Sequence, residues 1–314
     1  MHPRSALTAL AAAALLASAA TTTASAATAP VSRPHVTAHF DLAAAQQPEN
    51  IALGADGSAY LTFSFARQIA RVGPFGRTQV LAALPAPAKA DTPNLGKAFV
   101  GGIAHAHDGT VYVTYATGTA DLTGIWAVRP GALPHRIAAL PADGLPNGLA
   151  LDDRTGHLYV TDSVHGVVYR ASVCGGTATV WAEGDALQPS TFAGANGVRL
   201  HDGAVWTTNA DKGTVLRIPV TARGTAGSVQ VRATGMPSID DFAFTGRGDT
   251  LLAARNDNEV DLVRPDGRHT AVLTAADGLR TPTSVAVRHG TVYVPSASYL
   301  TNEDPNLLEA HLGR

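Results

Sequence analysis

Six segments of this chain repeat one another, and that repetition restricts the fold more than any other feature. They are "PENIALGADGSAYLTFS" from Pro48, "VGGIAHAHDGTVYVTYA" from Val100, "PNGLALDDRTGHLYVTDS" from Pro146, "ANGVRLHDGAVWTTNA" from Ala195, "IDDFAFTGRGDTLLAAR" from Ile239 and "PTSVAVRHGTVYVPSA" from Pro282. Each opens on a small or polar dipeptide, alternates apolar and polar residues, turns at a Gly or Asp-Gly, and resumes as a second alternating strand. The second residue of each segment serves as a register mark: Glu49, Gly101, Asn147, Asn196, Asp240 and Thr283, spaced 52, 46, 49, 44 and 43 residues apart. That period suits a four-stranded propeller blade and is too long for the common helical repeats.

Two further strand-like runs follow each of the first five hairpins, such as "QIARV" and "TQVLAAL", or "VVYRAS" and "TATVWAE". The sixth repeat ends early, with one more plausible strand at residues 307–312. The alternating stretch "HVTAHFDL", residues 35–42, precedes the first hairpin and can supply the missing outer strand. Pairing the chain's two ends closes the ring and protects its edges. The expected fold is all-β, a six-bladed β-propeller in one domain over residues 27–314, closed by an N-terminal strand that joins the last blade. A β-sandwich gives no reason for six similar units.

In such a ring the first strand of each blade lines the axis, so equivalent residues converge on one point from different directions. Glu49, Asn147, Asn196 and Asp240 are then expected to meet, with Asp241 next in sequence. Singly, an Asn or Asp beside Gly reads as a turn residue. In register across four repeats they form an all-oxygen set, which suits a hard cation, calcium first and another divalent ion as the alternative. Carboxylates buried together without a cation would repel one another and be costly to desolvate.

With these residues in place, the chain resembles the superfamily of senescence marker protein, gluconolactonases and paraoxonases, six-bladed propellers with a catalytic calcium on the axis. The resemblance runs from about Pro48 to the end as a pattern of repeats. The paraoxonase pattern of Glu in the first repeat, Asn in the third and fourth, and Asp-Asn in the fifth falls on Glu49, Asn147, Asn196, and Asp240 with Asp241. Two positions depart from it. Gly101 stands where paraoxonases carry a histidine thought to serve as base, and Asp241 replaces Asn. His105 and His107 lie nearby, but strand direction carries them away from the axis.

The resemblance implies a calcium-dependent hydrolase of lactones or related esters acting on a small molecule. The metal would polarise the carbonyl, and Asp240 or Asp241 would take a proton from water. Strand alternation offers Asp241 a different place, turned off the axis into a hydrogen bond with a neighbouring blade. Phe63, Phe65 and Tyr299 are candidates for an apolar rim, and residues 85–99 form a long connector that serves as a lid or a slack loop. The alternative function is a non-catalytic ligand- or partner-binding propeller with a structural axial calcium. Virginiamycin lyases use a related ring, but with seven blades.

The first residues, "MHPRSALTALAAAALLASAATTTASA", pair Arg4 with an apolar stretch and end on an A-x-A site at Ala24-Ser25-Ala26. That order is expected of a secretory signal over residues 1–26, hence an exported protein. The stretch is interrupted by Thr8 and Ser18 and is too short for a membrane span. A net charge of −2, with no basic run, gives no reason to expect nucleic acid. The lone cysteine, Cys174, excludes an internal disulfide and is assigned no role. No nucleophile elbow, P-loop or dinucleotide fingerprint is present.

Overall fold

The computed structural model describes residues 30–313; the expected leader lies outside them. The described chain forms six four-stranded antiparallel sheets arranged as blades. An N-terminal strand, β1 (Val31–His39), precedes blade one, which comprises β2 (Pro48–Leu53), β3 (Ala59–Phe63), β4 (Gln68–Val72) and β5 (Thr78–Ala83). Blade two comprises β6 (Phe99–His105), β7 (Val111–Ala116), β8 (Gly124–Val128) and β9 (His135–Ala139). Blade three comprises β10 (Pro146–Asp152), β11 (His157–Asp162), β12 (Val167–Ser172) and β13 (Thr179–Glu183). Blade four comprises β14 (Ala195–His201), β15 (Ala204–Asn209), β16 (Thr214–Pro219) and β17 (Gln230–Ala233). Blade five comprises β18 (Ile239–Arg247), β19 (Thr250–Arg255), β20 (Glu259–Val263) and β21 (His269–Leu273). Blade six is built from β22 (Ala286–Arg288), β23 (Thr291–Ser296) and β24 (Asn306–Leu312), with β1 as its fourth strand.

The ring closes as expected: β1 pairs antiparallel with β24, from Val31 opposite Leu312 to His39 opposite Asn306. The closing strand begins and ends earlier than the alternation suggested. Pro34 has no N–H to give a ladder, so a run read from sequence starts after it. The chain nonetheless pairs on both sides of it, because the register slips between Ser32 and His35 with Arg33 at φ 55°. Proline is tolerated at such a bulge on an edge strand. At the other end, Phe40 leaves the strand to pack edge-on against Phe63, ring centroids 4.9 Å apart.

Blades cohere through apolar layers shared between neighbours. Ile69 of blade one packs with Val100, Val113 and Tyr115 of blade two. Trp206 of blade four packs with Phe242 and Leu251 of blade five, and Leu252 and Val260 of blade five meet Val292 and Leu308 of blade six. Full burial of each large side chain stabilises by about 1.5–3 kcal/mol. Because each layer belongs to two blades, no blade buries its apolar faces alone.

Candidate metal centre

The marker residues sit at irregularities of the inner strands. Pairing slips between Pro48 and Asn50, Val100 and Ile103, Pro146 and Leu149, Ala195 and Val198, and Ile239 and Phe242. A bulge at that position re-aims a side chain, so Glu49, Asn147, Asn196 and Asp240 occupy irregular backbone at the start of a strand. This is why asparagine, a poor strand former, begins an apolar alternation here.

A threonine ladder holds the bulges in register. The hydroxyls of Thr62, Thr114, Thr161 and Thr208, on the second strands, donate to the carbonyls of Gly101, Asn147, Asn196 and Asp240 in the next blade. The same hydroxyls accept the N–H of Asn50, Gly102, Gly148 and Gly197, at distances of 2.8–3.1 Å. The glycine after each asparagine is there for space. A Cβ on Gly148 would collide with the Asn196 carbonyl, and one on Gly197 with Asp241.

Glu49, Asn147, Asn196 and Asp240 line one cavity of about 420 Å³, within the range of small-molecule sites. All four are buried, at 4–7% exposure. Tyr299 donates its hydroxyl to Glu49 Oε2 at 2.6 Å and also lies 2.6 Å from Ser64 Oγ. Asn256 Nδ2 donates to Asp240 Oδ2 at 2.9 Å. Burial pushes the Glu49 carboxyl well above the ordinary range; repulsion from Asp240 adds to this, and the Tyr299 hydrogen bond opposes it. Burial likewise raises Asp240 to about 7, against the pull of Asn256.

Two carboxylates that resist ionisation and face one cavity constitute a site that favours a positive ion. Asn196 Oδ1 is buried with no hydrogen-bond partner, an omission that normally carries a cost. Among the described residues no three His, Cys, Asp or Glu side chains gather in a metal-ligating cluster. A cation here must therefore draw on the asparagine amides as well as Glu49 and Asp240. Carboxylate and amide oxygens are the donors that calcium accepts, and the residues present fit it.

Asp241 is not part of this cavity. It follows Asp240 on β18, so alternation directs it to the other side, where Ser284 Oγ donates at 2.7 Å, Asn50 Nδ2 at 2.9 Å, and Arg199 forms an ion pair. The expectation of Asp241 as a base is corrected accordingly: Arg199 fixes it as a buried counter-ion. Arg199 itself lines a separate opening with Ile51, Ile103 and Leu149, farther along the inner strands.

Gly101 contributes no side chain, and the wall beside it comes from Phe99. Among the described residues no histidine lines the cavity. His105 packs tilted against Tyr60, ring centroids 4.3 Å apart, and His107 is exposed beside Asp153, both consistent with strand direction. Of the rim candidates, Phe65 and Tyr299 line the cavity, whereas Phe63 is fully buried in the layer below. Asn256 and the hydrogen bonds of Tyr299 were not foreseen. Both residues lie in loops outside the repeated hairpin, where register offers no signal.

No family model matches the chain, and no curated protein matches its sequence. Solved structures do match. A calcium-binding protein, regucalcin, from Agrobacterium tumefaciens superposes with a TM-score of 0.63 at 17% identity, covering 86% of this chain and 92% of that one. The fold is that of the regucalcin and gluconolactonase propellers. A gluconolactonase from Xanthomonas campestris gives a TM-score of 0.63 at 16% identity, over 89% of this propeller and 95% of that chain. A streptogramin B lyase gives 0.61 at 14% identity, over 91% and 96%. At these identities the likeness shows the fold, and a fold does not fix a function.

Proposed function

We propose that the protein is an exported, calcium-dependent hydrolase of lactones or related esters. The observation that carries this reading is the convergence of Glu49, Asp240, Asn147 and Asn196 on one cavity, with Asn196 Oδ1 lacking any protein partner. These four residues would hold the ion. Bound calcium supplies Lewis acidity toward a carbonyl oxygen.

The chain's own residues do the rest. Tyr299 and Asn256 orient the two carboxylates by hydrogen bonds to Glu49 and Asp240, the kind of outer support that tunes a metal site. With Asp241 engaged elsewhere, Asp240 is the remaining candidate to accept a proton from water. Phe65, Phe99 and Leu145 wall the cavity with apolar surface, which shields the reacting carbonyl from bulk water. Among the described residues no helix is long and apolar enough to cross a membrane.

Gly101 and the lack of a histidine in the cavity favour a second reading, a binding propeller whose calcium is structural. Calorimetric calcium titration of the wild type, Glu49→Gln and Asp240→Asn, with a lactone panel assayed on the same samples, separates the two. Binding and turnover that both substitutions abolish are the expected result. Calcium binding without turnover selects the second reading, and no calcium binding refutes both.

A further inference from the structure

The floor of the axial cavity carries two carboxylates, and its mouth carries one cation. Lys97 ends the connector between β5 and β6 and lines the same cavity as Glu49 and Asp240. Among the described residues no carboxylate oxygen lies within 4.0 Å of its ammonium. The ammonium stands instead 5.1 Å from the centroid of the Phe65 ring, a cation–π contact that directs it without neutralising it.

The connector that presents Lys97 is ordered. Asp91 N–H donates to the Thr117 carbonyl at 3.0 Å, and Gly96 N–H to that of Thr92 at 2.8 Å. Asn94 Nδ2 crosses to the Phe192 carbonyl at 2.7 Å, tying this connector to the one before β14. The Phe192 segment is itself fixed by Asp211, whose carboxylate accepts four consecutive backbone N–H groups, from Ser190 to Ala193, at 2.6–3.1 Å. Around Lys97 the mouth is apolar, formed by Phe65, Leu95, Phe99, Phe192 and Leu300. Phe192 is 49% exposed and Leu300 71%, leaving apolar surface that the body of a ligand would cover.

We propose that this cavity selects amphiphilic carboxylates, with an apolar body against the mouth, an anionic group paired with Lys97, and the carbonyl to be attacked toward the floor. The inference rests on the cavity being the ligand site and adds the class of ligand. With a divalent cation balancing Glu49 and Asp240, Lys97, exposed at the mouth, is the uncompensated charge among the lining residues, and a ligand body covering the apolar mouth would withdraw its ion pair from water. A charge-assisted hydrogen bond in such surroundings discriminates a carboxylate from its neutral analogue by about tenfold or more.

The test is calorimetric titration of 4-phenylbutanoate and of its neutral amide into the calcium-loaded wild type, Lys97→Met and Lys97→Arg. The carboxylate is expected to bind the wild type about tenfold more tightly than the amide, with the ratio falling toward one in K97M and surviving in K97R. An equal ratio in K97M, meaning that the acid sits on the calcium, overturns the proposal. So does the absence of a preference, or of any binding, in the wild type. Turnover of a lactone bearing a pendant carboxylate, beside that of its methyl ester, is measured on the same samples. If neither is hydrolysed while the binding ratio behaves as expected, the hydrolase reading fails and the selection by Lys97 stands.

Discussion

Replacing Asp240 by Asn should make the metal-free protein more stable at alkaline pH, although it removes a residue from the candidate site. Burial raises the folded Asp240 carboxyl from its ordinary 3.8 to about 7. Between those values the folded protein keeps a proton that the unfolded chain has released, so folding stability falls as pH rises through this window and levels off above it. Three pH units correspond to an upper bound of about 4 kcal/mol. Asn cannot ionise, and its amide oxygen can still accept the Asn256 hydrogen bond, so the variant avoids that loss.

In chelator, wild type and D240N should therefore be nearly equal near pH 4 and diverge in favour of the variant up to pH 8. The divergence should reach about 4 kcal/mol at most, or about 8 °C in melting temperature for a chain of this size. Taking the difference between the two proteins cancels titrations remote from the cavity, such as that of Asp56, which hydrogen bonds from Arg71 and Ser58 hold at about 2; Glu49, which D240N frees from the repulsion of Asp240, shifts the difference in the same direction. Calcium should narrow the gap, and reverse the order at any pH where the difference in chelator is smaller than what the ion adds, because the ion restores a reason for Asp240 to ionise. At one hundred times its Kd it adds about 2.7 kcal/mol to the wild type and little to the variant. Thermal unfolding from pH 4 to 8, in chelator and in calcium, reads all four conditions. A D240N protein less stable than wild type in chelator at pH 8, or a difference that does not change with pH, would refute the reasoning.

Tyr299→Phe should weaken calcium binding about tenfold, since it removes the hydroxyl that orients Glu49; calorimetry beside Glu49→Gln, which should bind no calcium, checks this. Arg199→Met should cost about 3–5 kcal/mol in urea unfolding, because Asp241 is 1% exposed and would keep only neutral donors. Adding Asp241→Asn to R199M should recover much of that loss. A double variant no more stable than R199M would contradict the ion-pair account.

The architecture was legible because a propeller writes its period into the chain: the apolar alternation of each hairpin recurs, and the strand runs "QIARV", "GIWAV" and "VVYRAS" fall on β4, β8 and β12 residue for residue. The cavity floor was legible for the same reason, since register alone brings Glu49, Asn147, Asn196 and Asp240 to one place. What register does not encode is the partner of each group. Tyr299 reaches Glu49 across 250 residues of sequence, and Asp241 meets Arg199, Asn50 and Ser284 from three other blades. The Pro34 bulge hid the start of the closing strand. Phe63 and Phe65 looked alike until their places separated them, one in the β3 layer and one in the turn after it.

The threonine ladder explains how one ring can keep its shape while its chemistry changes. At Gly101, Asn147 and Asn196 the carbonyl of the marker residue is taken by the threonine of the preceding blade and the N–H of its successor by the threonine of its own blade, so the backbone near the axis is satisfied without help from the marker side chain. That side chain is free to be whatever the cavity requires: a carboxylate at Glu49, an amide at Asn147, nothing at Gly101. The ladder lacks its threonine on two second strands, where β19 presents Ala254 opposite the fifth bulge and β23 presents Pro295 at the equivalent position. There Asp241, Arg199 and Ser284 supply the cross-blade bonds instead, and Thr283 Oγ1 closes the ring onto the Pro48 carbonyl at 3.0 Å. The Asp241 carboxylate thus belongs to the support of the ring and Asp240 to its contents, a division between adjacent residues imposed by the two-residue period of the strand.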